Sequence, residues 1–192
     1  YTVDNSISLV SQCTFETTRL LNEPSWLPST FVSLWDIEGV RFLGNIYRNT
    51  TSPGTFNYNE RGKGFYSIGA GYFVGPNNHF EGLYRATDAN AGADPWAQIS
   101  IDGNIYVNNY QDVLLNGLYY PVVVNNDFDI RPKLLFNTSD LPYSLYMDGC
   151  TGYHVEDNIF FNNISTNGKV IIRNSGNDAN LVYGNIFNGI FA

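Results

Sequence analysis

The sequence has few charged residues and, above all, few basic ones. Charged side chains make up 15% of the 192 residues, and ten Lys and Arg stand against eighteen Asp and Glu, for a formal net charge of −8. Nucleic acids are bound through basic patches, so we expect no nucleic-acid partner. No apolar run approaches the roughly 18 residues of a membrane helix, so we expect no membrane span.

A six-residue motif repeats through the chain. In IDGNIY, at residues 101–106, an aliphatic or aromatic residue and two variable positions precede Asn, and Phe or Tyr follows two positions later. Copies of the motif are VSQCTF at 10–15, FLGNIY at 42–47, VVNNDF at 123–128, VEDNIF at 155–160 and VYGNIF at 182–187, with a looser copy ending NHF at 78–80. The anchor positions are Cys13, Asn45, Asn78, Asn104, Asn126, Asn158 and Asn185.

The anchors are 22 to 33 residues apart, and such periods are typical of stacked repeats. The segments alternate with period two and are rich in Val, Ile, Phe, Tyr, Gly and Asn, which favours strands and turns over helices. The sequence therefore predicts an all-β, right-handed parallel β-helix of about seven coils of ~22 residues. We interpret residues 1–192 as one such domain, a segment of a longer protein with uncapped ends.

The surplus over 22 residues is predicted to form four loop insertions. They are residues 22–30, 49–63, 86–96 and 131–142, each placed after the Asn and aromatic turn and before the first strand of the next coil. Insertions at one phase of a solenoid emerge on one side. We expect that side to be the working face.

Cysteine is scarce, with only Cys13 and Cys150. The two residues are about five coils apart, or roughly 24 Å at ~4.8 Å per coil. A disulfide requires Cα atoms within ~7 Å, so both are predicted to be free thiols.

Two runs, SLYMDGCTGYHVEDNIFFNN at 144–163 and VIIRNSGNDANLVYGNIFNGI at 170–190, resemble coils of right-handed parallel β-helix proteins of the pectin lyase-like type. They are most similar to coils of large secreted bacterial surface proteins exported by the type IX route. The resemblance is structural, with the aliphatic and aromatic residues filling the core and Asn forming the corner. It implies the fold and an extracellular location, secreted or on the cell surface.

The row of Asp127, Asp129 and Arg131, with Lys133 beyond it, is the best catalytic candidate. If Asn126 and its period-two partners point inward, these side chains share the outward face of one strand. Polysaccharide lyases on this fold use acidic groups to hold calcium against a uronate, and a base to take a proton. Glycoside hydrolases use two carboxyl groups about 5 to 10 Å apart. The alternative is a solvated charge row without a catalytic role.

A second polar group, Asp148, His154, Glu156 and Asp157, surrounds one coil. A metal site needs two or three such ligands to converge, and only the distant His79 could join His154. We therefore predict no metal site, and no cofactor unless the lyase alternative brings calcium.

Six aromatic residues lie in or beside the insertions, outside the core pattern. Sugar rings stack their CH faces on aromatic rings while nearby polar groups bind the hydroxyls, which makes these residues glycan-binding candidates. The alternative is that the rings pin the loops to the coil. The six are Trp26, Tyr58, Trp96, Tyr119, Tyr120 and Tyr143.

These features favour a non-catalytic extracellular β-helix module, a rigid structural or adhesive scaffold that contacts glycans through its loop side. One alternative is a carbohydrate-active enzyme, a polysaccharide lyase or glycoside hydrolase. The other is a subunit that stacks end to end, its uncapped ends contacting other copies or neighbouring domains, because exposed β edges invite pairing.

Overall fold

The computed structural model describes residues 8–18, 30–51, 61–130, 141–162 and 169–189. These residues form twenty strands in three sheets, and every strand pairing is parallel. Each strand pairs with the strand three positions further along the chain, so consecutive strands enter the three sheets in turn. This arrangement is all-β and consistent with a parallel β-helix. We call one strand from each sheet, in chain order, a repeat.

Sheets A and B have seven strands each, and sheet C has six. Sheet A contains, in spatial order, β1 (Ser8–Ser11), β4 (Glu38–Leu43), β7 (Gly71–Val74), β10 (Ile99–Asp102), β13 (Val122–Val124), β16 (His154–Glu156) and β19 (Leu181–Tyr183). Sheet B contains β2 (Thr14–Thr17), β5 (Ile46–Asn49), β8 (His79–Glu81), β11 (Ile105–Val107), β14 (Asp127–Ile130), β17 (Ile159–Asn162) and β20 (Ile186–Gly189). Sheet C contains β3 (Thr30–Trp35), β6 (Lys63–Ile68), β9 (Arg85–Asn90), β12 (Gln111–Asn116), β15 (Tyr143–Asp148) and β18 (Lys169–Arg173).

The motif asparagines form a hydrogen-bonded ladder at the corner between sheets A and B. Asn104 shows the pattern: its backbone N–H and its Nδ2 both donate to Oδ1 of Asn126, each at 3.0 Å. The Nδ2 group also donates to the carbonyl oxygen of Val74 in the preceding repeat, at 2.8 Å. The same contacts continue from Asn45 to Asn185, and Cys13 donates its N–H to Asn45. The ladder thus bonds each repeat to the next.

The sharp turn at this corner is made by the residue before each anchor. That residue has left-handed backbone in every repeat, which Gly, Asn and Asp adopt more readily than other residues. The positions are Gln12, Gly44, Asn77, Gly103, Asn125, Asp157 and Gly184, with φ between 51° and 67°. The prediction that Asn makes the corner is therefore refined, since the anchor Asn bonds the corner while its predecessor bends it.

The aromatic residue that ends each motif copy points into the core and stacks on its equivalents. Centroids of successive rings are 4.7 to 5.1 Å apart. This distance matches the ~4.8 Å spacing of neighbouring strands, so the strand pairing sets the ring spacing. The stack comprises Phe15, Tyr47, Phe80, Tyr106, Phe128, Phe160 and Phe187. The predicted core role is confirmed for Tyr47, Phe80, Tyr106, Phe128 and Phe160, which are buried, whereas Phe15 is half-buried and Phe187 is exposed.

One predicted insertion is wrong in its boundaries. Residues 85–90 form strand β9, which pairs with both β6 and β12 inside sheet C. Ala86 and Ala89 are fully buried, and Asp88 accepts hydrogen bonds from Lys63 and Arg85 at 2.5 Å each. The sequence predicts a loop here because the residues are small and the strands that they pair with belong to neighbouring repeats.

The insertions consequently do not share one position. The connections β2–β3, β5–β6 and β14–β15 each join sheet B to sheet C within one repeat. The segment 91–98 instead joins sheet C to sheet A of the next repeat. The prediction that all insertions lie on one side is therefore wrong, because they lie at two corners, one between sheets B and C and one between sheets C and A.

Both cysteines are free thiols, as predicted. Cys13 is exposed between β1 and β2, and Cys150 is buried between β15 and β16. Five sheet A pairings lie between β1 and β16, about 24 Å at ~4.8 Å each. This separation excludes a bond between them.

We expect Asn126→Ala to lower the free energy of unfolding by about 3 kcal/mol, because several buried hydrogen-bonding groups lose their partners at ~1 to 3 kcal/mol each. The groups include the Asn104 backbone N–H and the carbonyl oxygen of Ile101. Equilibrium urea unfolding measures the change. The control is Asn116→Ala, at an exposed asparagine with a single bond to Asn90, expected within about 0.5 kcal/mol of wild type. Equal losses in both variants would contradict a structural role of the ladder.

Candidate ligand-binding site

Three of the six predicted aromatic residues lie together at the surface. Trp96 is in the segment between β9 and β10, and Tyr119 and Tyr120 are in the segment between β12 and β13. The Trp96 ring centroid is 4.9 Å from that of Tyr119, edge-on, and 6.0 Å from that of Tyr120, with 29° between the planes. Trp96 is 60% exposed and Tyr120 is 43% exposed. We call these three residues the aromatic cluster.

Backbone hydrogen bonds between repeats fix the aromatic cluster. Tyr119 donates its N–H to the carbonyl oxygen of Pro95 at 2.8 Å, and Tyr120 donates its N–H to that of Thr151 at 2.8 Å. Tyr120 has left-handed backbone, with φ of 56°, which is uncommon for an aromatic residue. The rings are therefore held in place by chain segments of successive repeats.

Side-chain contacts add to this support. The Tyr120 hydroxyl donates to Asp178 Oδ2 at 3.3 Å, and Asp178 donates its N–H to Thr151 Oγ1 at 3.1 Å. The Tyr120 ring covers Gly152, where a Cβ atom would overlap the ring. A glycine is needed at that position both for the ring and for its own φ of 64°.

A groove of about 660 Å³ adjoins Trp96 and crosses the outward face of sheet A. We call it the sheet A groove. The Arg41 guanidinium lies over the Phe73 ring, 4.9 Å from its centroid. The groove thus combines aromatic surface with polar groups, as small-molecule and sugar sites do. Its lining includes Glu38, Arg41, Phe73, Trp96, Gln98 and Ser100.

Tyr143 lies in a different groove and is buried. Its hydroxyl donates to Gln111 Oε1 at 3.0 Å, and its ring lies 5.2 Å from that of Tyr146. The groove, about 430 Å³ on sheet C, also holds Arg173, which is paired with Asp148 at 2.7 Å. Tyr143 therefore packs against the sheet, in line with the alternative interpretation of these aromatics. Trp26 and Tyr58 lie outside the described residues.

The alternation predicted for the Asp127 row is observed. Phe128 and Ile130 are buried with Asn126, while Asp127 is exposed and Asp129 is half-buried. Across the sheet, Asp127 is flanked by Ile105 and Ile159, and Asp129 by Val107 and Phe161. The neighbouring strands thus add no charged group at the same positions of this row. Arg131 and Lys133 lie outside the described residues.

The second polar group does not converge. His154 and Glu156 are on sheet A, with Nε2 of the histidine 2.5 Å from Oε2 of the glutamate. Asp148 is on sheet C, and Asp157 lies at the corner between sheets A and B. His79 is on sheet B, 3.6 Å from Glu81. Within the described ranges, no three His, Cys, Asp or Glu side chains are grouped to hold a metal ion.

Asp112 is a buried carboxyl that the sequence analysis did not identify. Its Oδ1 accepts a hydrogen bond from Asn109 Nδ2 at 3.0 Å, while its Oδ2 has no partner in the part of the chain that the structure describes. Burial raises the pKa of Asp112 well above its ordinary value of 3.8; the Asn109 bond lowers it, and the Asp129 charge raises it further. The raised pKa favours the protonated, neutral form of Asp112.

Comparison with protein-family models, curated proteins and solved structures finds no match to this chain. Among the described residues, no helix is long and apolar enough to cross a membrane.

The raised pKa of Asp112 predicts a pH-dependent stability. Above pH 3.8 the folded chain keeps a proton that the unfolded chain loses, so this contribution to the free energy of unfolding is full below 3.8 and falls as pH rises through the folded pKa. Asp112→Asn removes the titration, so its stability relative to wild type should increase from pH 4.5 to pH 8 in urea unfolding. Exposed Asp127→Asn is the control and should follow the wild-type profile. Parallel profiles for wild type and Asp112→Asn would contradict the assignment.

Proposed function

We propose that this chain is a right-handed parallel β-helix of about seven coils that serves as a rigid, non-catalytic scaffold in a secreted or cell-surface protein and binds glycans. The exposed Trp96, beside Tyr119 and Tyr120 and above the sheet A groove, is the observation that carries the glycan-binding part. The extracellular location rests on the sequence resemblance.

The scaffold role is supported by how successive repeats are joined. The asparagine ladder and the aromatic stack both run through the repeats, so bending or sliding one repeat against the next breaks buried hydrogen bonds and ring contacts together. Such a coupled interior favours a stiff element that presents surface features at fixed spacing. Stacked repeats of this kind depend on contacts between neighbours.

The glycan-binding role is supported by the exposure of the aromatic cluster. Covering a large apolar ring at the surface with a ligand gains roughly 25 cal/mol per Å² of apolar surface removed from water. Trp96 contacts its neighbours but remains exposed to solvent. Arg41, Gln98 and Ser100 supply hydrogen-bonding groups in the adjoining groove. A sugar offers both the CH face and the hydroxyls that such a surface binds.

A second candidate function, end-to-end stacking, is favoured by the last strands. Val182 and Phe187 occupy positions whose equivalents are buried in earlier repeats, yet they are 49% and 53% exposed. Asn185, at the same edge, is the last member of the ladder. A second copy of the chain or a neighbouring domain, laid on this edge strand to strand, would cover these side chains.

A glycan array combined with reducing-end and unsaturated-product assays tests the main proposal. We expect wild type to bind at least one glycan and to release no product, and Trp96→Ala to lose at least tenfold in affinity. Trp35→Ala is the matched control, because Trp35 is equally exposed, at 61%, but lies on sheet C. Turnover that Asp129→Asn abolishes would overturn the non-catalytic assignment in favour of a carbohydrate-active enzyme.

Sedimentation velocity over a range of protein concentrations tests end-to-end stacking. If copies stack through the β19 and β20 edge, the wild-type chain forms larger species as its concentration rises, and Phe187→Asp shifts the distribution towards monomer, because a charge in the contact would lose its hydration. Phe15→Asp, at the other end of the aromatic stack, reports the opposite edge. A monomer at every concentration excludes this function.

A further inference from the structure

The asparagine ladder has a direction. At each corner the backbone N–H of the anchor residue donates to Oδ1 of the anchor in the following repeat, at 2.9 to 3.3 Å. The Nδ2 group of that following anchor donates in return to the carbonyl oxygen of the inward-facing residue ahead of the earlier turn, at 2.8 to 3.0 Å. Each repeat therefore depends on the next one for an acceptor and a donor, and one Asn side chain supplies both.

The ladder is closed at its first anchor, Cys13. The Cys13 thiol donates to the carbonyl oxygen of Ser11 in its own repeat at 3.3 Å, and Asn185 makes the equivalent bond to Tyr183 through Nδ2 at 3.0 Å. A thiol has one proton and is a weak acceptor, whereas an amide has two donors and a strong acceptor. Cys13 therefore has no group left to bond a preceding repeat as an Asn would.

The ladder is open at its last anchor, Asn185. In the part of the chain that the structure describes, the Asn185 backbone N–H has no acceptor, and no following Asn reaches the Val182 carbonyl oxygen, which is equivalent to that of Val155. Val182 is 49% exposed, whereas Val155 is buried. A single Asn side chain, placed next to Asn185, would supply the missing acceptor and the missing donor together.

The strands at this end of the stack are suited to pairing. Strands β18, β19 and β20 are the last strands of sheets C, A and B, and they lie at the same end. We call their outer side the open edge. Edge strands are commonly protected from pairing by charged residues or proline, but β19 (LVY) and β20 (IFNG) contain neither. The open edge therefore presents unprotected backbone groups beside the open end of the ladder.

We infer that the open edge binds one coil of another β-helix domain, paired in parallel, with Asn as the anchor residue of that coil. The inference rests on the second candidate function, end-to-end stacking, and specifies its partner. The expected partner sequence follows the motif of this chain: an aliphatic or aromatic residue, a variable position, Gly, Asn or Asp for the left-handed turn, the anchor Asn, a variable position, and Phe or Tyr.

A second copy of this chain is a poorer partner for the open edge. Stacked head to tail, the copy would place its Cys13 next to Asn185, and the Asn185 N–H and the Val182 carbonyl oxygen would be covered without receiving their bonds. A buried donor or acceptor without a partner is costly, so both groups select Asn over Cys at the anchor position. Cys13 therefore disfavours association between copies but leaves the open edge available to other coils.

Binding of a fluorescent peptide to the full chain, measured by anisotropy under reducing conditions, tests the inference. The peptide spans residues 111–130, whose strands β12, β13 and β14 come from sheets C, A and B in the order of β18, β19 and β20. Its anchor is Asn126. The matched control is the same peptide with Asn126→Cys, which carries the anchor of the first repeat. We expect the Asn126 peptide to bind at least tenfold more tightly than the control peptide.

Variants of the chain locate the contact. Val182→Asp places a charge among the side chains that the coil would cover, and it should weaken binding of the Asn126 peptide at least tenfold. Val10→Asp, at the equivalent position of the first repeat, is the control and should leave peptide binding unchanged. Circular dichroism and urea unfolding verify that each variant is folded.

Cys13→Asn tests the selection for Asn without a peptide. The substitution gives a second copy the anchor that fits the open edge, so sedimentation velocity should show association at least tenfold tighter than in wild type. Adding Val182→Asp to the same chain should remove the gain, because it alters the open edge itself.

The outcomes separate this inference from end-to-end stacking of copies. If wild type stays monomeric while the Asn126 peptide binds and the control peptide does not, stacking of copies fails and the inference stands. If wild type associates as tightly as Cys13→Asn, or both peptides bind equally, the edge pairs without selecting Asn and the inference is overturned while stacking stands. If neither peptide binds, the inference is overturned.

Discussion

The asparagine ladder is the constraint on which the remaining structure depends. At each rung one side-chain amide is a donor and an acceptor at once: Asn104 Nδ2 donates to Val74 and Asn126, and its Oδ1 accepts from Asn78. A shift of one residue in the pairing of sheets A and B would remove these bonds and turn every core side chain outward. The ladder therefore fixes which residues enter the core. The stacked rings of sheet B follow from that register.

A fixed interior restricts where this protein can carry specific chemistry. The inward positions of each repeat are committed to the ladder and to the core, so variation is left to outward side chains and to the segments between sheets. The corner between sheets C and A is such a place. There the segments that carry Trp96 and Tyr120 are joined by a hydrogen bond from Tyr119 to Pro95, so the regular stacking of the strands is transmitted to the rings. The spacing of the aromatic cluster is set by the same interior.

The core could be predicted from the sequence because each repeat contains the same order of inward-facing residues. The Asn, the aliphatic residue before it and the aromatic residue after it recur in a short window, so their roles are local. Strand β9 was not predicted because the contacts that stabilise it are not local in sequence. Ala86 and Ala89 are buried, and Asp88 accepts a hydrogen bond from Lys63, only when neighbouring repeats are stacked. Asp112 was missed for the same reason, since its burial depends on neighbouring repeats.

The candidate site could be predicted only in part. The predicted and observed positions of the aromatic residues differ for a physical reason. A sequence shows which aromatic residues fall outside the core pattern, but the lengths of the connections decide which of them meet. Trp96 reaches Tyr119 and Tyr120, whereas Tyr143 is drawn onto sheet C by Gln111. In the described part of the Asp127 row, parallel pairing places Ile105 and Ile159 beside the carboxylate, so equivalent positions of adjacent strands do not assemble acid and base. In a parallel sheet the same chemical group lies side by side on adjacent strands only if the sequence repeats it. In this chain the repeated groups are the asparagines and aromatic residues of the interior. The exposed rings at the corner between sheets C and A therefore arise from the connecting segments and not from the repeated pattern of the strands.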